Sequence, residues 1–290
     1  MKVMILGANG FLGSHLYNYL KEKNNIIKCG RNKNHDIVLK KIVKSNFSKI
    51  LKKTIPDVII NLIALTNVDI CEKKRKKADE INAGIVKNIV DSITEVKLTK
   101  KVFFLHISTD QVYSGKGPHK EKFIRPINIY ARTKLKGEKY IKKINGCVLR
   151  TNFVGKSFDN KERGFTDWIF TSLNQGKSIP VFKNVKFSPL NIKTLCKYIN
   201  LVIRKKIAGI YNLGSKNGLS KAQFAIKFAK KLKLNTKLLK VVDYKKDLLI
   251  AKRPLDMRMN INLFEKNFHV RLKSLNNEIN LVSRQYKVIR

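Results

Sequence analysis

Short, unbroken apolar runs alternate with amphipathic stretches through the first half of the chain. Val3-Met4-Ile5-Leu6, Val58-Ile59-Ile60-Asn61-Leu62-Ile63 and Val102-Phe103-Phe104-Leu105-His106-Ile107 read as strands buried on both faces. Ile26–Lys28, ending at Cys29-Gly30-Arg31, and Cys147-Val148-Leu149-Arg150 add two shorter ones. Between them, helical periodicity opens at Phe11, runs from about Glu72 to Ile93, and returns after Pro126 to carry Tyr130 and Lys134 as far as about Lys143. Strand and helix alternating in this way predict an α/β fold with a doubly wound parallel sheet and crossover helices.

The alternation loosens after residue 150. A helix is expected over Phe165–Leu173, a strand at Ile179–Phe182, and helices at Ile192–Arg204 and Ser220–Leu234. Gly209-Ile210-Tyr211-Asn212-Leu213-Gly214 reads as one further strand returning to the first sheet. The expected organisation is a nucleotide-binding domain over 1–150 and a smaller C-terminal α/β substrate lobe over 151–290, with about 207–215 rejoining the first.

Composition changes this picture in one respect. Hydrophobic residues make up 43% of the 290, ordinary for a globular chain, but Lys and Arg number 62 against 20 Asp and Glu, a net charge of +42. Such a field concentrates polyanions. The lysines are spread along the chain, however, and Asn and Ile are abundant beside them, as a biased codon supply would produce. The densest run, Lys73-Lys74-Arg75-Lys76-Lys77, has no aromatic interleaving and reads as a solvated helix face. No specific nucleic-acid partner and no membrane partner are expected, and no apolar stretch approaches the roughly 18 residues of a membrane span. Cys29, Cys71, Cys147 and Cys196 are scattered without metal-ligand spacing. They read as buried thiols in a reducing, cytoplasmic setting, with no metal.

The chemistry begins at Gly7-Ala8-Asn9-Gly10-Phe11-Leu12-Gly13, which joins the first strand to the first helix. Bare glycines at a helix N-terminus let backbone N–H groups approach a pyrophosphate, so this is a candidate dinucleotide turn of Rossmann type. Tyr130 and Lys134 stand four apart on a predicted helix and therefore share a face. A nearby ammonium stabilises a phenolate, so the pair suits protonating a carbonyl oxygen as hydride reaches its carbon. Ser108-Thr109-Asp110 ends a buried strand on the edge where the glycine turn opens. Thr109 can hydrogen-bond the tyrosine or a substrate carbonyl, and Asp110 can accept from a sugar or base; the same triplet would also cap a helix.

With these residues in place, the chain resembles the extended short-chain dehydrogenase/reductases, and within them the dTDP-4-dehydrorhamnose reductase-like enzymes. The resemblance runs through GANGFLG at 7–13, PDVIINLIALTNVD at 56–69, STDQVYSG at 108–115, YARTKLKGE at 130–138, LRTNFVG at 149–155 and Arg253-Pro254. It implies that Tyr130 is the proton donor, that Lys134 binds the nicotinamide ribose and tunes Tyr130, and that Thr109 completes the triad. It also implies that Ala64, Leu65 and Thr66 line the cofactor beside Gly7, Asn9, Gly10, Phe11, Leu12 and Gly13. Thr109, Asp110, Phe153 and Arg253 would then face the sugar nucleotide.

Related dehydratases carry Asp-Glu where Asp110-Gln111 stands, and an amide cannot exchange a proton at the sugar C5. Related epimerase/reductases carry cysteine where Asp110 stands. Simple reduction of a 4-keto sugar remains as the expected activity, dTDP-4-dehydro-L-rhamnose to dTDP-L-rhamnose. The chain departs from its relatives in carrying Phe153 where tryptophan is usual, and in Lys40 or Lys41 where an adenine-contacting aspartate is common. Gly30-Arg31-Asn32-Lys33 ends the second strand, and Arg31 suits a 2′-phosphate, which points to NADPH with NADH as the alternative. The competing readings are a non-catalytic NADP-binding regulatory subunit, like that of methionine adenosyltransferase, and an epimerase or dehydratase of the same superfamily. A homodimer is compatible with each.

Overall fold

The computed structural model describes residues 1–31, 33–39, 41–158, 164–245 and 249–287. Lys40 and Asn32 lie outside the described residues. The chain order opens with β1 (Lys2–Leu6), α1 (Phe11–Leu20), β2 (Asn25–Gly30), β3 (Ile37–Val38), α2 (Lys44–Thr54) and β4 (Val58–Asn61). It continues with α3 (Val68–Lys73), α4 (Arg75–Asp79), a π-turn over Glu80–Gly84, α5 (Ile85–Glu95), β5 (Phe103–Thr109), a 3-10 turn at Asp110–Val112, α6 (Ile129–Ile141) and β6 (Gly146–Thr151). Then come β7 (Phe153–Val154), α7 (Phe165–Asn174), β8 (Ile179–Phe182), β9 (Lys186–Phe187), β10 (Leu190–Asn191), α8 (Ile192–Lys205) and β11 (Gly209–Leu213). The chain closes with β12 (Leu219–Ser220), α9 (Lys221–Lys231), a 3-10 turn at Thr236–Leu238, β13 (Leu239–Val242), α10 (Asn262–Phe268) and α11 (Leu275–Tyr286).

Among the described residues, β3, β2, β1, β4, β5, β6 and β11 form, in that order, a seven-stranded sheet, and every pairing in it is parallel. A parallel sheet needs both faces covered. One face is sealed by a core that joins Val3, Ile5, Val58, Ile60 and Leu105 to Leu16 of α1, Leu195 and Ile199 of α8 and Phe264 of α10. The other joins Met4, Ile59 and Phe104 to Phe47 and Leu51 of α2 and to Val86 and Ile89 of α5. The sheet order reverses between β1 and β4, which opens a crevice at the carboxyl ends of the strands.

A second core, which includes Ile169, Val181, Phe187, Phe224, Phe228, Ile279 and Tyr286, packs α7, α9 and α11 around the short pairs β8–β13 and β9–β12. β11 belongs to the large sheet even though it follows β7 to β10: Ile210 lies beside Val148, and Tyr211 beside Leu149.

Two details differ from the expected pattern. The single helix over Glu72–Ile93 begins earlier, at Val68, and is interrupted at Lys74 and by the π-turn. Period alone cannot reveal an extra residue in a turn, and such bulges often occur at functional sites. The Lys73–Lys77 run is exposed throughout. Among the described residues, no helix is long and apolar enough to cross a membrane.

Candidate active site

The glycine turn is held open by backbone geometry. Gly7 has a φ of +86°, a left-handed conformation that favours glycine, and its N–H donates to the Cys29 carbonyl across to β2 at 3.0 Å. A Cβ on Gly13 would stand 2.2 Å from the Gly7 carbonyl oxygen, so α1 lies directly on the turn. Gly10 brings no capping side chain, and no acidic residue sits in the first turn of α1. The positive helix end is thus left without a side-chain acceptor from its cap, and this donor set fits a dinucleotide diphosphate. Asn9 and Phe11 lie in this segment with Leu12, which is buried.

The next loop on the same edge is tied to the π-turn. The Asn82 Oδ1 accepts from the Leu65 N–H at 2.8 Å, and its Nδ2 donates to the Leu65 carbonyl at 3.3 Å and to the Thr133 hydroxyl at 3.1 Å. Ala64 and Leu65 are half-buried, and Thr66 is exposed. Arg31 is exposed just past the end of β2.

β5 and α6 bring the reactive groups together. The side chain of Asn128 caps α6 by accepting from the Ala131 N–H at 2.8 Å, and its Nδ2 donates to Gln111 Oε1 at 3.1 Å. Gln111 is thereby held by the cap of the helix that carries Tyr130. Thr109, at the end of β5, hydrogen-bonds the Tyr130 phenol and also accepts from the Gln111 N–H at 3.2 Å. It therefore both caps the 3-10 turn and meets the tyrosine.

Tyr130 itself is buried, and that burial drives its pKa upward; the Thr109 hydrogen bond opposes the shift, and the Asp110 charge adds to it. In the chain alone the Lys134 Nζ turns to β5, donating to the Ile107 carbonyl at 2.7 Å and standing 3.2 Å from His106 Nε2. The i, i+4 spacing places both residues on one face but leaves each free to choose its partner.

Lys134 is buried, which lowers its pKa to about 8, while the charge of Glu138 works the other way. Asp110 is buried as well, and burial raises it to about 6 against the hydrogen bond from Asn152 Nδ2 at 2.7 Å and the charge of Lys221. Behind these groups, Glu138 of α6 and Arg150 of β6 form a buried ion pair at 2.6 Å. Ser108 donates to Glu138, and Arg150 donates to the Tyr113 hydroxyl at 2.8 Å. The network locks β5, β6 and α6 in one arrangement.

Of the residues expected to face a sugar nucleotide, Phe153 is half-buried, with its ring 5.8 Å from that of Phe11, and both pack on the core of the large sheet. Arg253 is engaged within the chain: its guanidinium donates to Asp69 at 2.8 Å and to the Ala251 carbonyl at 2.9 Å. Lys221, at the start of α9, lies over Phe165 and Phe187, and its charge is felt by Asp110. Sequence reading missed Lys221, Asn82, His106, Asn128 and the Glu138–Arg150 pair. Only Asn128, a capping residue just before a helix, left a local signal.

Known proteins resemble this chain in sequence and fold. Over 92% of its length the chain is 27% identical to a dTDP-4-dehydrorhamnose reductase from Shigella flexneri, covering 92% of that protein. It is 25% identical over 78% of its length to a probable low-salt glycan biosynthesis reductase from Haloferax volcanii, covering 79% of it. The crystal structure of a dTDP-4-dehydrorhamnose reductase from Bacillus anthracis in complex with NADP superposes with a TM-score of 0.85 at 26% identity, covering 97% of this chain and 98% of that one. The family model of the RmlD substrate binding domain matches residues 1–288, and the chain belongs to that family.

Proposed function

We propose that this chain is an oxidoreductase that reduces the 4-keto group of a nucleotide-linked 6-deoxy sugar with NADPH, with dTDP-4-dehydro-L-rhamnose as substrate and dTDP-L-rhamnose as product. The observation that carries this reading is the Thr109–Tyr130 hydrogen bond at the strand edge where the glycine turn opens, with Lys134 one turn along the same helix, in a chain similar over 92% of its length to an enzyme named for that reduction. In this reading residues 1–150, with the strand near 207–215, hold the cofactor, and 151–290 hold the sugar. Gly7, Asn9, Gly10 and the first turn of α1 through Gly13 hold the diphosphate. Ala64, Leu65 and Thr66 line the nicotinamide side, and Arg31 faces the 2′-phosphate.

NADPH, when bound, supplies the hydride. Tyr130 then gives its proton to the oxygen at C4, Thr109 steadies the phenol and the emerging hydroxyl, and Lys134 holds the ribose and restores the proton to Tyr130. Asp110, Phe153 and Arg253 face the sugar nucleotide, and Asp69 holds the Arg253 guanidinium in place. The buried thiols Cys29, Cys71, Cys147 and Cys196 fit a cytoplasmic setting.

The test is turnover of dTDP-, UDP- and GDP-linked 4-keto-6-deoxy sugars with NADPH and NADH, the product being identified by NMR. Tyr130→Phe is expected to lose about 10²–10⁴ in kcat while binding NADPH as before. Undiminished kcat in that variant would overturn the mechanism, and silence with every sugar would favour the non-catalytic reading.

A further inference from the structure

Behind Lys134 lies a buried stack that the mechanism above does not use. Asn61, the last residue of β4, and His106, on β5, are both fully buried, and Asn61 Nδ2 stands 3.1 Å from His106 Nδ1. The other ring nitrogen, Nε2, stands 3.2 Å from Lys134 Nζ. Adjacent strands place Asn61 beside His106 in register.

The orientation of each group follows from the one beside it. The backbone N–H of Ile63 can only donate, and it meets Asn61 Oδ1 at 3.1 Å. The Asn61 amide therefore turns its NH₂ to His106, and Nδ1 must accept with its lone pair. A neutral imidazole carries one proton, so that proton lies on Nε2, pointing at Lys134. Burial and the Lys134 charge hold the ring neutral, well below its ordinary pKa. An ammonium has three N–H groups and no lone pair, so it would set donor against donor here. A neutral amine has a lone pair that accepts Nε2–H and still donates to the Ile107 carbonyl.

We propose that His106, its tautomer fixed by Asn61, is a positioning residue that stabilises the neutral amine left on Lys134 after it has returned a proton to the Tyr130 phenolate. The proposal rests on the reading of Tyr130 as the proton donor. The Tyr130 O–H bond breaks as its proton goes to the substrate oxygen. A Lys134 N–H bond then breaks and an intervening water relays its proton to the phenolate, remaking the phenol; the amine lone pair takes the His106 hydrogen bond, and solvent water supplies the proton that recharges Lys134.

The titratable groups on the surrounding elements have partners of their own. On its own helix Glu138 is paired with Arg150 of β6, though its charge still favours the Lys134 ammonium, and Tyr130 is bonded to Thr109. Asp110, on the 3-10 turn, is bonded to Asn152. On α3, the Cys71 thiol donates to the Leu65 carbonyl and Glu72 accepts from the Ile129 N–H. On α4, Asp79 is paired with Lys136.

Nitrogen-15 NMR of histidine-labelled protein without ligand decides the tautomer, with the signal assigned by its loss in His106→Gln. Protonation on Nε2 is expected, with no titration of the ring between about pH 6 and 9. A proton on Nδ1 overturns the proposal, and this result needs neither turnover nor a stable variant at Asn61. Asn61→Asp, close to isosteric, would draw the proton to Nδ1 and aim a lone pair at Lys134. The Lys134 titration, followed by carbon-13 NMR of its Cε, is then expected to rise by at least about one pH unit. The alkaline limb of kcat should move up with it. A Lys134 titration that stays or falls while the tautomer switches would overturn the proposal, whereas failure to find any turnover would count only against the reductase reading.

Discussion

Tyr130 and Lys134 show what the one-dimensional pattern can and cannot carry. Their spacing and the strand-end position of Thr109 were legible because helix period and strand burial are local properties. The partner of the Lys134 ammonium was not, because Ile107 and His106 lie on another element and approach only when α6 docks on β5. Asp110 gives a second consequence at this scale. Burial raises its folded pKa to about 6, above an unfolded value of about 3.9. The native state therefore keeps its proton longer than the unfolded chain, and the stability this provides is present below about pH 4 and lost as pH rises through 6. Asp110→Asn has no such loss. Urea denaturation of both proteins should show the variant gaining roughly 3 kcal/mol on the parent between about pH 4 and 7. A difference that stays constant with pH would show that Asp110 is not desolvated in solution.

Elements position these residues through close approaches as well as hydrogen bonds. A Cβ on Gly137 of α6 would lie 2.6 Å from the Asn82 carbonyl oxygen, so the helix carrying Tyr130 rests on the backbone of the π-turn. The Asn82 side chain reaches from that turn to Leu65, and one bulge thus registers α6 against the loop after β4. Neither the bulge nor the buried Glu138–Arg150 pair could be found by periodicity: the bulge adds a residue to a turn without changing the apolar pattern, and the pair joins two different elements, α6 and β6. The β1–turn–α1 unit, by contrast, was readable outright, because glycine is required where a side chain would strike backbone. Gly13→Ala pushes a methyl group towards the Gly7 carbonyl. The turn must open, and fluorescence titration is expected to show NADPH binding weakened at least about tenfold, or 1.4 kcal/mol. Unchanged affinity would mean that the diphosphate does not bind at this turn.

For the whole molecule, the excess of 62 basic over 20 acidic residues implies that the folded state repels itself. Raising sodium chloride from about 0.01 M to 0.15 M shortens the Debye length from about 30 to 8 Å. The melting temperature should therefore rise, by roughly 2–4 °C for each kcal/mol of repulsion removed, in a differential scanning fluorimetry series against an uncharged osmolyte. A flat salt series would show that the charges are already spaced beyond mutual influence. The general α/β layout was legible from alternating strand and helix signals, and the return of residues 209–213 from an isolated strand-like run. Its neighbour was not, since pairing with β6 depends on how α8 crosses the sheet. That return has a bearing on synthesis. While the ribosome makes the second lobe, β6 has no partner on its outer side, and its backbone donors and acceptors are open to any other extended chain. At about 5–20 residues per second the interval from Thr151 to Gly209 lasts roughly 3–12 s. For that time the nascent chain carries a bare sheet edge, which makes Gly146–Thr151 a natural place for a chaperone to bind or a misfolded dimer to start.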